Sequence, residues 1–159
     1  MSKASASIVR AVCPKNPGGA ADAVRVLPVL DGAVWGAEAL GKADAAVLSA
    51  WLRKHEFKGE AGDVSWPQGM SAPVLLVGVG AAGGFQSVRW FRGWSAAGKA
   101  LAKAKVESAR VEGSLFDRLP EGAPLREALA RLMAEGLGIG SYRFTKLRGG
   151  DKAELVAVE

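Results

Sequence analysis

One stretch constrains this 159-residue chain more than any other: VLLVGVGAAGG, residues 74–84. Its first six residues are apolar apart from one glycine and carry no charge. A strand with a solvated face alternates apolar with polar, whereas a continuous apolar run suits a strand covered on both faces. Residues 24–30, VRVLPVL, have the same character. Two such strands require helices above and below a sheet, which predicts a layered α/β fold with a largely parallel sheet.

Gly78, Gly80 and Gly83 also match the spacing G-x-G-x-x-G. That spacing has two explanations. At a strand-to-helix turn it lets a dinucleotide pyrophosphate approach the backbone, with an acid about 20 residues on to hold the ribose. Alternatively, the glycines let a buried strand bend sharply or pack close. The acids on offer are poorly placed, since Glu107 opens the next expected strand and Glu112 ends it late. The motif sits mid-chain, and Gly84 adds slack where a helix N-terminus would grip phosphate. The structural explanation leads, and Gly78, Gly80 and Gly83 stand as the secondary, cofactor-binding one.

The remaining elements follow from periodicity and punctuation. Strands are expected at 5–12, 63–66, 106–112 and 154–159, with Pro14, Pro17, Gly18 and Gly19 breaking the chain after the first. Asp31-Gly32 ends strand 24–30. Asp44 is expected to cap a helix to about His55 whose apolar face is Val47, Leu48, Trp51 and Leu52. The segment FKGEAG, residues 57–62, reads as a turn. A helix is expected over 86–104, with Val88, Phe91, Ser95, Gly98 and Leu101 as its inward stripe. Another starts near Pro124 and carries Leu125, Leu129, Leu132, Met133 and Leu137. Gly136, Gly138 and Gly140 weaken that helix by about 1 kcal/mol each unless another backbone packs against them. Gly149-Gly150 closes the segment.

The size is that of one domain, 1–159, large enough to fold without metal or disulfide. Cys13 is the only cysteine and His55 the only histidine, so no internal disulfide, cysteine zinc cage or nucleophile–histidine pair is evident. Glu60 and Asp63 sit in a loop beside Lys58 and read as solvated charges rather than metal ligands. No catalytic or metal-binding residue is assigned. The N-terminus lacks a signal-like apolar core, and the uncharged run 64–88 is interrupted by prolines and glycines. A soluble, cytoplasmic protein with no membrane partner is expected.

The net charge of +5 is modest. Segment 85–105, however, holds Arg89, Arg92, Lys99, Lys103 and Lys105 with no acid, beside Trp90, Phe91 and Trp94. Cations interleaved with aromatics can contact phosphates and stack bases. They equally describe a solvated face on a helix whose aromatics pack on the core or on a protein partner. Arg89, Trp90, Arg92, Trp94, Lys99 and Lys103 are therefore the candidate surface, with protein packing ranked above nucleic acid.

Several stretches, in order, resemble one family. AADAVRVLPVLDG, HEFKGEAGDV, PVLLVGVG with an Ala-rich helix after it, and EALARLMAEGLGIGSYRFTKLRGGDKAELVAVE are similar to the N-terminal domain of leucyl (cytosol) aminopeptidases, a metallopeptidase family of hydrolases. The resemblance covers about residues 20–159. It implies a macro-domain-like three-layer sandwich whose mixed, mostly parallel central sheet is flanked by helices. It implies that two divalent metal ions, their ligands and the catalytic arginine belong to a C-terminal domain, whose N-T-D-A-E-G-R signature does not occur here. It also implies a role in oligomer assembly, with the catalytic domain and neighbouring subunits as partners, and DNA contact in some members. The expected function is a non-catalytic assembly or regulatory domain of an enzyme that releases N-terminal amino acids from peptides. The alternatives are a macro-like module binding ADP-ribose or a related nucleotide at the glycine turn, and a DNA-contacting domain using the cationic helix.

Overall fold

The computed structural model describes residues 23–81, 85–111, 116, 124, 126–142 and 157–158. The strand expected at 5–12, its Pro/Gly break, Cys13 and Gly149-Gly150 lie outside them.

Strand β1, Val24–Leu30, is the centre of the sheet. Strand β4, Val74–Gly80, runs parallel on one side of it, and β5, Ser108–Val111, parallel on the other. Strand β3, Val64–Ser65, adds antiparallel to β4, and β6, Ala157–Val158, adds parallel to β5. A two-residue strand absent from the sequence reading, β2 (Ala33–Val34), folds back antiparallel on β1. Its turn is Asp31-Gly32, with φ of 52° and 77°. Positive φ at both central residues is what a tight hairpin matching the twist of its strands requires. The sheet is thus mixed, with three parallel and two antiparallel pairs.

Pro28 lies in this central strand, where a missing N–H ordinarily costs a ladder bond. It falls between the last pair with β5, at Val26, and the first pair with β2, at Val29. Its carbonyl accepts the Trp35 N–H at 2.9 Å.

Alternation along the strands sends side chains to two separate cores. On one face Leu27, Val29, Val74 and Leu76 meet Leu48 of helix α1, Lys42–His55. On the other, Val24, Val26, Leu30, Leu75, Val77 and Val79 meet α2, Ser87–Lys103, and α3, Arg126–Ser141. Two helical layers with a sheet between them make the three-layer α/β sandwich expected from the apolar strands.

Two local expectations change. The N-cap of α1 is Gly41, not Asp44. Asp44 lies inside the first turn and accepts the Ser71 N–H at 2.8 Å as well as the Ser71 hydroxyl. The inward stripe of α2 is also rotated. Trp90, Gly93, Trp94, Ala97, Gly98, Leu101 and Ala102 are buried, while Val88 is 68% exposed. The reason is volume: the gap under α2 accommodates two indoles, which bury more apolar area than Val88 would.

Backbones of α2 and α3 touch through glycine. A Cβ on Gly98 would overlap the Leu137 carbonyl oxygen, and one on Gly140 would overlap that of Ser95. A Cβ on Gly136 would stand 3.0 Å from the Phe91 carbonyl oxygen. The glycine row therefore serves the close approach its sequence demanded, at 136 and 140. The dispersion contacts of so close a crossing offset the propensity lost in α3.

Candidate functional site

The glycine turn ending β4 is closed on both sides. A Cβ on Gly78 would overlap the Glu60 carbonyl oxygen, and a Cβ on Gly93 of α2 would stand 2.5 Å from the Gly78 carbonyl oxygen. Gly78 is therefore held between the 57–62 loop and α2. Its N–H donates to the Asp63 carbonyl at 2.7 Å. Gly80, at φ 103°, donates to the Gly59 carbonyl at 3.0 Å and accepts from the Asp31 N–H at 2.9 Å. A phosphate cradle needs free N–H groups facing outward; at Gly78 and Gly80 both are spent on the protein itself. Gly83 lies outside the described residues.

The FKGEAG segment supplies that closure. Lys58 accepts from the Gly32 N–H at 2.9 Å, and the Gly62 N–H donates to the Gly78 carbonyl at 3.1 Å. Gly59, at φ 78°, is pressed so close to Val29 that a Cβ there would meet its Cγ1 at 2.6 Å. The loop ties the ends of β1 and β4 together, so a sequence that reads as a turn acts as a clamp.

Outside the clamp, an open cleft of about 540 Å³ lies at the carboxyl ends of β1 and β4. Asp31, Lys58, Glu60, Asp63, Arg89 and Arg92 line it. The two arginines lie over glycines: a Cβ on Gly80 would be 3.3 Å from Arg89 Cδ, and one on Gly62 would be 3.1 Å from Arg92 Nε. Three cations face three carboxylates, so the cleft has no dominant charge. Glu60 and Asp63 belong to it as solvated groups, and no group of three His, Cys, Asp or Glu side chains among the described residues is placed to hold a metal ion.

The candidate cationic–aromatic surface divides. Trp90 and Trp94 are completely buried, which corrects their place in it. Their rings meet edge to face at 5.6 Å, and Trp90 Nε1–H donates to the Leu129 carbonyl at 3.0 Å. Trp94 Nε1 is buried with no hydrogen-bond partner among the described residues. With both indoles inside, neither is available to stack a base. Arg89, Arg92, Lys99 and Lys103 remain exposed. His55 is exposed as well and stacks on Trp51 at 4.4 Å, with no nucleophile in the arrangement.

The sequence reading missed a second concavity, of about 490 Å³, between α2 and the end of α3. Val88, Phe91 and Ile139 line it with Arg92 and Lys99. Ile139 is 63% exposed, and Tyr142, just beyond it, 71%. The available signal was spacing: with Leu129, Leu132, Met133 and Leu137 on the inward stripe, Ile139 two residues further on falls on the opposite side of α3.

One titration is displaced at the opposite face. The Ser71 hydroxyl and then its N–H hold the Asp44 carboxyl below the usual carboxylate range, with Arg25 adding to the effect against some desolvation.

Comparison with known proteins places this arrangement. Residues 26–150 match the model of the cytosol aminopeptidase family, N-terminal domain. A probable cytosol aminopeptidase of Chlorobium luteolum is 36% identical over 124 residues, which cover 74% of this chain and 22% of that protein. The chain thus spans under a quarter of the length of that relative. Among solved structures, the bottromycin maturation enzyme BotP superposes with a TM-score of 0.62 at 25% identity, covering 86% of this chain and 27% of BotP. A tomato leucine aminopeptidase mutant superposes with a TM-score of 0.61 at 18% identity, over 86% of this chain and 28% of that one, and shares the fold. Among the described residues no helix is long and apolar enough to cross a membrane.

Proposed function

The chain belongs to the cytosol aminopeptidase family, as its N-terminal domain, and on that premise we propose that it is a non-catalytic assembly domain that packs against a catalytic aminopeptidase domain and neighbouring subunits. The carrying observation is the match over residues 26–150 to a domain that accounts for a small share of its relative's length. The chemistry of the site agrees with it. Peptide hydrolysis by metal-activated water needs several converging ligands, and the charged side chains here form an open, balanced cleft.

In this reading, release of N-terminal amino acids from peptides, the two divalent metal ions and the catalytic arginine belong to the catalytic domain. A structure of BotP in complex with Mn supports metal chemistry in that relative. The name of the Chlorobium luteolum relative supports a cytoplasmic setting.

The experiment is purification of the chain at native level from its own cells. The expected result is a catalytic domain of the family in stoichiometric amount, in the same polypeptide or beside it, with leucyl-peptide hydrolysis in the same peak. A chain that purifies with no peptidase contradicts the reading. So does peptide hydrolysis by the pure 159-residue chain.

A further inference from the structure

We propose that the groove between α2 and the end of α3 is the surface on which the catalytic domain docks, and that it receives an apolar side chain from a segment flanked by carboxylates. This rests on the assembly reading above and names the chemistry of the contact.

The first observation is where exposed apolar area collects. Val88, Ile139 and Tyr142 are 68, 63 and 71% exposed, well above the next large apolar residue, Val64 at 37%. Val88 and Ile139 line one groove, with half-buried Phe91 between them. The Tyr142 N–H donates to the Ile139 carbonyl at 3.2 Å, which holds the tyrosine beside it. Convergence of such residues on a concave surface marks an interaction site, whereas the same residues scattered singly mean nothing.

The second observation is charge. Arg92 and Lys99 line the same groove, and α2 contains no acid at all. Neither cation has an ion-pair partner among the described residues. Glu135, one turn before Ile139, is held by Arg131 Nε at 2.8 Å. An apolar floor under unpaired cations fits a partner with an apolar tip and acidic shoulders, and disfavours basic partners by like-charge contact.

That rule decides among occupants. Residues 1–22 carry Lys3, Arg10 and Lys15 against Asp22. Residues 143–156 carry Arg143, Lys146, Arg148 and Lys152 against Asp151 and Glu154. Both segments are net positive and complement the rim badly. Residues 112–123 are net negative, with Glu112, Asp117 and Glu121 against Arg118, but Phe116 within them and Leu129 near the start of α3 both meet the buried Trp90, about 15 Å along α3 from Ile139. A second copy pairing through the same patch would set one cationic rim against another, because a two-fold interface uses the same surface on both copies. The remaining occupant is a segment of the catalytic domain, laid in the groove as an amphipathic helix lies in an apolar channel.

The test is an amide-shift titration of the full chain with two synthetic helical peptides of roughly ten residues, leucine at helical spacing with glutamate elsewhere, or with lysine elsewhere. The glutamate peptide is expected to shift the amides of Val88, Phe91, Ile139 and Tyr142 saturably, and the lysine peptide to leave them still. Ile139→Asp should abolish the response. Lys99→Glu should weaken it about fivefold or more and remove most of its salt dependence. Ala46→Asp, on the exposed side of α1, should change nothing, and thermal melts of all three variants should match the parent chain. Equal binding of the two peptides, shifts confined to another face, or self-association through this groove would each overturn the proposal. A groove that binds the glutamate peptide in a chain that purifies with no peptidase would sink the assembly reading, and the catalytic domain as occupant with it.

Discussion

On one face of the sheet, α1 fully buries a single side chain, Leu48, and leaves Val47, Trp51 and Leu52 half-buried. On the other, α2 buries Trp90, Trp94, Ala97 and Leu101 and is crossed by α3 at backbone distance through Gly98, Gly136 and Gly140. The α1 face is a lid fastened at its rim, where Asp44 meets Ser71 and Arg25 Nη1 donates to the Ala39 carbonyl at 2.5 Å. The α2–α3 face is packed solid beneath and carries an apolar groove rimmed by cations outside. Stability and exposed apolar surface thus sit on the same pair of helices. A helix anchored this tightly can present Val88 and Ile139 without shifting, which is the rigidity a docking face needs.

The largest expected effect contrasts two tryptophans. Trp94→Ala removes a wholly buried indole and should cost about 3–5 kcal/mol in urea unfolding. Trp51→Ala, on the half-buried side, should cost less than about 2 kcal/mol, since less area is lost. Equal losses would break the comparison. Next comes Gly140→Ala, which drives a methyl into the Ser95 carbonyl and should cost about 3 kcal/mol as an overpacked contact. Gly69→Ala, near α1, meets only Val47 Cγ1 at 3.6 Å and should cost about 1 kcal/mol, from its positive φ alone. A gentler pair sharpens the picture within α2. Trp90→Phe loses the bond to Leu129 and should cost about 1–2 kcal/mol more than Trp94→Phe, which removes a buried donor that has no partner among the described residues.

The smallest effect is confined to acid. Asp44 titrates below its unfolded value, so its contribution is present above the ordinary carboxylate range and lost as pH falls through the lowered folded value. Asp44→Asn should therefore flatten the pH dependence of the melting temperature below about pH 4 and leave the neutral-to-basic limb parallel to the parent. A variant that keeps the parent's acid slope would show that the Ser71 bonds contribute nothing to it.

Much of this was legible in the chain. The apolar runs 24–30 and 74–79 announced strands covered on both faces, and the glycine row in α3 announced a close backbone. Asp31-Gly32 marked a strand end, although the two-residue β2 after it carries too little pattern to be seen. The inward face of α2 was misread because its true stripe, Trp90–Trp94–Ala97–Leu101, and the expected one, Val88–Phe91–Ser95, lie within a turn of each other; only the size of the gap beneath selects the indoles. The clamp formed by residues 57–62 was invisible for another reason. Its partners, Val29, Gly32, Gly78 and Gly80, are distant in sequence, and neither periodicity nor spacing encodes such contacts. The dinucleotide spacing is thus met by close packing at Gly78 and by a positive φ at Gly80. The family resemblance rested on ordered pieces such as FKGEAG, and the match over residues 26–150 agrees with it.

The most direct test of the account is amide hydrogen exchange on the 159-residue chain, alone and in the complex purified from its own cells. Added protection is predicted along the outer side of α2 from Val88 to Lys99 and at the end of α3 through Tyr142, with α1 exchanging as it does alone. Protection gained at α1 or around the charged cleft, with the α2–α3 groove unchanged, would contradict it.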